Sequence, residues 1–522
     1  MRGLTVPANE LPAERRNKPL LQWPDFAWML GLMALGVAPR LLYRSGFGLG
    51  DDVIFRYNIA SIFNQALRPD NISYRFTWWF PTALSSWIFG LNEFGMILPI
   101  TVTSALGIGL IYAFGRALWG MPGALIAASL LIVQPLDFAW STMLATDIQL
   151  SFFSALSVLL ILRALEQEDV SWKRRQWILA AGSLWLAYGA KISAILLLPG
   201  IGLICWMKRR RLDRQFFYFL ATLTVLFGAT HFAFYVFTGD LIYPYHAELS
   251  SQGLASHEAA RTHRISSLVF WRYVKWLFLP NQWGDLLFSV YPHVLLLLAL
   301  ASWFLRIRTS PAVFWWFFFV FLGMQFNIQR VHGVWISGFR NIRHTHVFVY
   351  PLILLLTGYL VSLREKYPKL CYTLLGLVLV ISAWQSVATA SKTHIAFDDR
   401  RQACYFLATL PPKTVYSDFQ IATWASILNF GHPWKFQDLE SFDRPTRRKQ
   451  IATIKSGYLV TGGGREPYFG CIDCIPLADE VDPEQWRLLR EFPGPAAPTT
   501  WRPEPLRVWE AKEIPRDSPQ AP

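Results

Sequence analysis

Charge is scarce in this chain. Asp, Glu, Lys and Arg make up only 16% of its 522 residues, against about 25% in an ordinary soluble domain. The shortfall is concentrated in long apolar runs, which excludes a wholly water-solvated protein. Cysteine is sparse too, at five residues. Cys205 and Cys371 lie in or beside apolar runs and read as small hydrophobes; Cys404, Cys471 and Cys474 belong to the C-terminal tail. No internal repeat or low-complexity tract stands out, and no cleavable leader is evident. The first apolar run follows a long polar segment, and Pro39 sits directly after the best small-residue site, Gly36-Val37-Ala38. That run reads as an uncleaved first span. The basic excess, a formal charge of +14, comes in short clusters between apolar runs, so membrane orientation accounts for it without nucleic acid.

What the chain does have is apolar bulk: 53% of its residues, with a mean hydropathy of +0.29. The 24 Trp and 19 Tyr suit two membrane–water interfaces. A helix needs about 20 largely apolar residues to cross the hydrocarbon core. Candidate spans run from Asp25 to Leu42, Phe94 to Phe114, Met121 to Phe138, Ala145 to Leu165, Trp177 to Ala190 and Ile192 to Met207. Further spans are Phe216 to Phe237, Leu286 to Leu305, Pro311 to Phe326, His346 to Leu363 and Leu370 to Thr389. The total is about eleven, the fifth and sixth being short enough for a shallow hairpin.

Basic residues gather in every second loop: Arg15, Arg16 and Lys18; Arg163 with Lys173, Arg174 and Arg175; Lys208 to Arg211 with Arg214; Arg306 and Arg308; Arg364, Lys366 and Lys369. Compact basic loops are cytoplasmic loops. The N-terminal segment 1–22 is therefore expected inside. Residues 23–390 form the membrane domain with a first outer loop at 44–93, and a soluble domain at 391–522 lies outside, in the periplasm or extracellular space. In that tail, Arg400 to Leu410 reads as a helix stopped by Pro411-Pro412. Thr414 to Tyr416, Tyr458 to Thr461 and Arg507 to Glu510 read as strands, with a helix at Pro483 to Glu491. This alternation predicts a small α/β domain. Cys471-Ile472-Asp473-Cys474 has zinc-like spacing, but a structural zinc takes four ligands, and an exported domain favours a disulfide.

Chemistry-bearing residues collect on the outer side. Asp51 and Asp52 follow Gly48-Leu49-Gly50 just beyond the first span. Paired carboxylates there can act as a general base, hold a divalent cation, or simply cap the next helix. Asp147 stands at the outer mouth of the fourth span, where a lone Asp also serves as an N-cap, and Asp137 lies just before it. Lys191, Arg340, Arg343, His344 and His346 face the same side, and guanidinium groups suit a phosphate. Carboxylates and cations on one face point to an enzyme acting on a lipid phosphate.

The stretch Gly50-Asp51-Asp52-Val53-Ile54-Phe55-Arg56-Tyr57-Asn58-Ile59-Ala60 resembles the acidic first outer loop of the GT-C class of membrane glycosyltransferases. More narrowly, it is similar to the protein O-mannosyltransferase and aminoarabinose transferase families. Ala145-Thr146-Asp147 resembles the second acidic site, Thr238-Gly239-Asp240-Leu241-Ile242-Tyr243-Pro244-Tyr245 an outer-loop motif, and Arg343-His344 through Pro351 the start of a late span. Asp52 stands where Glu is commoner, His344 where Tyr is usual, and Leu241 where Pro is frequent. The resemblance implies a GT-C-like α-helical polytopic protein in the cell inner membrane. It also implies transfer of a sugar from a polyprenyl-phosphate donor to a glycan, lipid or protein acceptor. Asp51 would be the base, with Asp52 or Asp147 orienting the acceptor or a cation and Lys191, Arg343 or His344 holding the phosphate. The rival expectation is a transporter or flippase of lipid-linked saccharides. Transporters tend to carry repeats and ionisable groups near the midplane, where His231 is the one candidate.

Overall fold

A computed structural model describes residues 21–46, 74–90, 92–251, 310–326, 328–331, 334–337, 342–396, 398–417, 435–439, 444–462, 478–493 and 505–512. Asp51, Asp52, Cys471, Cys474 and the expected span from Leu286 to Leu305 lie outside the described residues. The chain divides into two compact units. One contains Met1–Arg44, Leu67–Pro81 and Leu98–Ala390; the other contains Ser45–Ala66, Thr82–Ile97 and Ser391–Pro522.

The first unit is helical, and three of its helices, at Phe76–Phe89, Glu93–Ile132 and Pro368–Ala396, include residues counted in the second. In chain order come α1 (Trp23–Leu42), α2 (Phe76–Phe89), α3 (Glu93–Ile132), α4 (Pro135–Trp140), α5 (Asp147–Glu166) and α6 (Val170–Ala190). There follow α7 (Leu198–Met207), α8 (Phe216–Thr238), α9 (Tyr243–Ser251), α10 (Pro311–Gln325), α11 (Val349–Lys366) and α12 (Pro368–Ala396). Among the described residues six helices are long and apolar enough to cross a membrane, with two shorter apolar ones at Ile192–Met207 and Pro311–Gln325. The 40-residue α3 is two helices joined at Gly120, whose φ of 74° breaks the helix as only glycine does without strain. The expected hairpin around Lys191 differs in form. Its first arm, α6, is a full 21-residue helix, and the second is a 3-10 turn, Ile192–Leu197, running into α7.

Burial separates core from periphery. The most apolar windows of α3, α5 and the helix ending in α11 are 67%, 78% and 83% buried, whereas those of α1, α8 and α12 are 17%, 6% and 22% buried. The first three are the centre of the bundle, and the others turn their side chains outward, as helices solvated by lipid do. Lipid supplies no hydrophobic drive between helices, so small side chains and hydrogen bonds hold them together. Ala155, Ala164, Ala180, Ala181 and Ala187 are all fully buried. Across the α5–α6 contact Ser157 Oγ donates to the Ala180 carbonyl (2.9 Å), and Trp185 Nε1 of α6 donates to Thr230 Oγ1 of α8 (2.8 Å).

In the second unit a five-stranded sheet has the order β4-β3-β5-β7-β6: β3 (Thr414–Ser417), β4 (Lys435–Asp438), β5 (Tyr458–Thr461), β6 (Trp486–Phe492) and β7 (Leu506–Ala511), after a hairpin β1–β2 (Ile328–Val331, Val334–Ser337) in the first unit. β4, β3 and β5 are parallel, while β7 pairs antiparallel with β5 and β6. Side chains alternate across the sheet. Tyr458 and Val460 join Ala403 and Leu407 of α13 (Asp398–Ala408) in one core; Leu459 joins Ile451 of α14 (Arg444–Thr453) in the other. Helices on both faces make this the expected small α/β layer structure.

One expected element is overturned. Pro483 to Glu491 is not a helix: Trp486–Phe492 is strand β6. Arg, Leu and Glu are good helix formers, but pairing with β7 overrides that preference, with Arg487 opposite Glu510 and Glu491 opposite Arg507. Arg507 Nε reaches Glu491 Oε2 at 2.7 Å, and opposite charges facing across a ladder support it. Hydrogen bonds from Lys413 and Arg487 draw the Glu510 carboxyl below the usual range. β6 ends the sheet, where charged side chains also discourage edge-to-edge association.

Arg447 and Glu480 form a fully buried pair, Nη2 to Oε1 2.6 Å and Nε to Oε2 2.7 Å. Removing one partner of such a pair typically costs about 3–5 kcal/mol, whereas replacing both with apolar groups is far milder. Arg447→Met in the full-length protein should therefore lower the denaturant midpoint of the C-terminal domain, followed by limited proteolysis. Arg447→Met with Glu480→Leu should recover most of the loss.

Candidate functional site

The site grows from three local features of the first unit. Asp147 is the first residue of α5, and Thr146 is the N-cap, without a side-chain capping bond. The N-cap expectation for Asp147 is thus corrected. Its carboxylate sits in the first turn, where the helix dipole favours negative charge, and is almost wholly buried. Lys191 is the residue at which α6 ends. Its Nζ meets Asp147 Oδ1 at 2.9 Å, the side chains being 9% and 3% exposed. Two candidates 44 residues apart are thereby brought together.

The second feature is the approach of α2 to α6. Thr77 Oγ1 donates to the Leu186 carbonyl (2.8 Å), and Gln149 Nε2 of α5 donates to the Thr77 carbonyl (3.3 Å). The contact is close enough that a Cβ on Gly189 would fall 2.2 Å from Phe76 and 2.6 Å from Thr77. Gly189 is what allows Tyr74 and Arg75, just before α2, to reach this region.

The third is the turn between α8 and α9. Gly239 closes α8 in the left-handed conformation (φ 74°). Asp240 then accepts from the Ile242 amide (3.0 Å) and meets His246 Nδ1 at 2.6 Å. That hydrogen bond holds the Asp240 carboxyl below its ordinary range. The turn sets the direction of α9, and Glu248 on α9 lands against Arg75. Arg75 Nη2 donates to Glu248 Oε2 (2.8 Å), the Tyr74 hydroxyl donates to the same oxygen, and Arg75 Nε approaches Tyr74 Oη at 3.1 Å. Burial opposes ionisation of Glu248, but Arg75, the Tyr74 hydroxyl and the nearby Lys191 outweigh it and bring the carboxyl down to about 2. Burial, with Glu248 beside it, pushes the Tyr74 phenol up. The field of Lys191 at Glu248 joins the two pairs into one cluster: Asp147, Lys191, Glu248, Arg75 and Tyr74.

Asp137 has a different fate. It is fully buried, and its Oδ2 meets Arg40 Nη2 at 2.9 Å while Oδ1 meets His346 Nε2 at 3.0 Å. His344 is buried two residues earlier, in the 3-10 turn Ile342–Phe348. Arg343 belongs to that turn, and its side chain lies outside the described residues. His231 is tied to Tyr188 Oη (3.2 Å) and to the Leu241 carbonyl (2.7 Å).

Sequence reasoning missed Arg75, Tyr74, Glu248 and Arg40. Arg75 had one available signal, a lone cation at the edge of the aromatic run Phe76-Thr77-Trp78-Trp79-Phe80. Glu248 had none of its own, because its partner is 173 residues away. Among the described residues no three His, Cys, Asp or Glu side chains gather to hold a metal ion.

Comparison with known proteins gives the arrangement a context. Residues 76–234 match the family model described as dolichyl-phosphate-mannose-protein mannosyltransferase. Among curated proteins none matches the chain in sequence. In fold it is similar to ArnT from Cupriavidus metallidurans bound to undecaprenyl phosphate, with a TM-score of 0.60 and 13% identity over 94% of this chain and 98% of that one. The apo form of the same protein gives 0.58 at 13% identity, over 94% and 99%. The Archaeoglobus fulgidus oligosaccharyltransferase, solved with Zn and sulfate, gives 0.54 at 13% identity, over 83% and 67%. The chain is thus a GT-C-like polytopic membrane protein, similar to the protein O-mannosyltransferase and aminoarabinose transferase families.

Glu248 contributes to the acid limb of stability, beside Asp240 and Glu510. Its carboxyl ionises more readily folded, at about 2, than at the ordinary value of 4.5. The stabilisation it contributes is complete above about 4.5 and is lost as pH falls toward 2. Detergent-solubilised protein melted at steps from pH 7 to pH 3 should lose stability in the lower half of that range. Glu248→Gln should lower the neutral-pH melting temperature and flatten the acid-side slope; an unchanged slope would refute the assignment.

Proposed function

We propose that this protein transfers a sugar from a polyprenyl-phosphate donor to an acceptor at the outer face of the cell inner membrane, in one inverting displacement. The observation that carries the reading is the buried cluster of two ion pairs, Asp147 with Lys191 and Glu248 with Arg75. Asp147 and Lys191 fall inside the segment matched by the mannosyltransferase family model, and Arg75 immediately precedes it. The ArnT fold, which covers nearly the whole chain, is one that holds undecaprenyl phosphate in the Cupriavidus protein.

In this reading Asp51 accepts the acceptor's proton as its oxygen attacks the anomeric carbon, and the bond from that carbon to the phosphate oxygen breaks. Asp52 or Asp147 orients the acceptor or a cation. The departing phosphate gathers negative charge, which Lys191, Arg343 and His344, joined by Arg75, stabilise from positions set before the reaction begins. The lipid tail stays in the bilayer, so the glycosyl phosphate is presented at the interface. A divalent cation so held would be met by hard carboxylate oxygens. Orientation completes the picture: residues 1–22 cytoplasmic, 23–390 the transferase body with its acidic loop at 44–93, and 391–522 an extracytoplasmic domain. The acceptor is a glycan, a lipid or a protein.

Purified protein in detergent, given a polyprenyl-phosphate sugar and a mixture of envelope acceptors, should form a new glycosidic bond. Asp51→Asn should insert and fold normally yet lose at least about a hundredfold in turnover. Movement of intact donor across a vesicle membrane without any new bond would favour the flippase reading instead. Accessibility labelling that placed position 51 on the cytoplasmic side would sink the mechanism.

A further inference from the structure

We propose that Ser151 and His346 are positioning residues that fix Asp147 through a buried hydrogen-bonded chain anchored on Asp137 and Arg40. The inference rests on reading Asp147 as part of the transfer site. Its links are short and fully enclosed. Ser151 Oγ lies 2.8 Å from the Asp147 carbonyl oxygen and 2.7 Å from His346 Nδ1. His346 Nε2 lies 3.0 Å from Asp137 Oδ1, and Asp137 Oδ2 accepts from Arg40 Nη2 (2.9 Å) and Ser104 Oγ (2.8 Å). Arg40 is itself tied down, donating to the carbonyls of Gly36 (2.7 Å) and Leu131 (3.1 Å). Arg40, Ser104, Asp137 and His346 are wholly buried, and Ser151 is 1% exposed.

Hydrogen-bond accounting shows what the chain does. A carboxylate only accepts, so His346 Nε2 must carry a hydrogen toward Asp137. Its Nδ1 is left to deal with Ser151, whose hydroxyl has a single hydrogen to place. With Nδ1 bare, that hydrogen points to the imidazole; with Nδ1 protonated, the ring donates to Ser151 and the hydroxyl stays on the Asp147 carbonyl. Only the second arrangement carries the chain through to the Asp147 carbonyl; in the first, Ser151 alone ties α5 to the turn that precedes α11. A serine that merely returned a hydrogen bond to its own helix would need no such partner. Because Asp147 opens α5 and holds Lys191 at 2.9 Å, small shifts of that turn displace both groups together.

Cutting the link from either side tests this. Ser151→Ala removes the hydroxyl, and His346→Gln keeps a donor for Asp137 while losing reach to Ser151. Each should lower kcat about tenfold, since sub-ångström misplacement is costly at a reacting centre, with the donor KM changed less than twofold. Ser151→Thr should restore kcat to within twofold of the parent. The double variant should be no worse than the poorer single, because both cut one link. Wild-type kcat in Ser151→Ala, losses that multiply, or a change confined to KM would overturn the proposal. If the parent protein transfers no sugar, the function proposed above falls, and hydrogen exchange decides the positioning separately. Residues 144–151 should exchange faster in Ser151→Ala and at the parent rate in Ser151→Thr; unchanged exchange in Ser151→Ala overturns the link.

Discussion

Asp147, Glu248 and Asp137 are each withdrawn from water in a helical body surrounded by lipid, and each meets a cation at hydrogen-bonding distance. Isolated ionised carboxylates in such surroundings cost far more than a fold can recover, so the counter-charge must arrive with them. Much of the geometry can be read as the means of delivering it. α6 ends where Lys191 can turn toward the start of α5. The glycine at 239 lets α8 stop and α9 begin at the angle that carries Glu248 to Arg75. The proline-started α4 places Asp137 between Arg40 and His346.

These pairs also explain which parts of the structure were legible beforehand. Hydropathy marks spans because a helix in lipid has to be apolar all round, and α1, α5, α8, α11 and α12 fall where their apolar runs are. Strands β3, β5 and β7 are short β-branched or aromatic runs between polar breaks, and their expected limits differ from the observed ones by one residue or none. β6 was misread because its composition favours a helix, while its actual state is decided by β7, which lies later in the chain. The same limit governs the site. Asp147 and Lys191 each stand out as a charge at the end of an apolar helix, so both were visible one at a time. Arg75 and Glu248 acquire meaning only as a pair, and nothing local to either residue announces the other.

Identity of 13% to the ArnT structures, alongside a similar fold over nearly the whole chain, fits this division. A lipid-facing position asks only for an apolar side chain, so sequence there can drift widely while helix length and crossing points persist. Close approaches are less forgiving. Gly189 against Phe76 and Gly107 beneath the Tyr350 hydroxyl leave no room for a Cβ. Such positions, with the buried charges, are where substitution is most restricted on physical grounds.

The balance of charge in the cluster bears on how a lipid phosphate would enter it. Among the described residues two carboxylates face two cations, so in the proposed reading an arriving phosphate would compete with Asp147 for Lys191 and with Glu248 for Arg75. A site built this way stores its cations in place without leaving them uncompensated when no donor is bound. In the proposed reading occupancy would also be coupled to the carboxylates: with Lys191 turned to phosphate, the Asp147 carboxylate would be released to accept a hydrogen bond from an incoming hydroxyl. Donor binding and acceptor orientation would then be two results of one exchange of partners, with the rigidity of the first turn of α5 setting how well the released carboxylate is aimed.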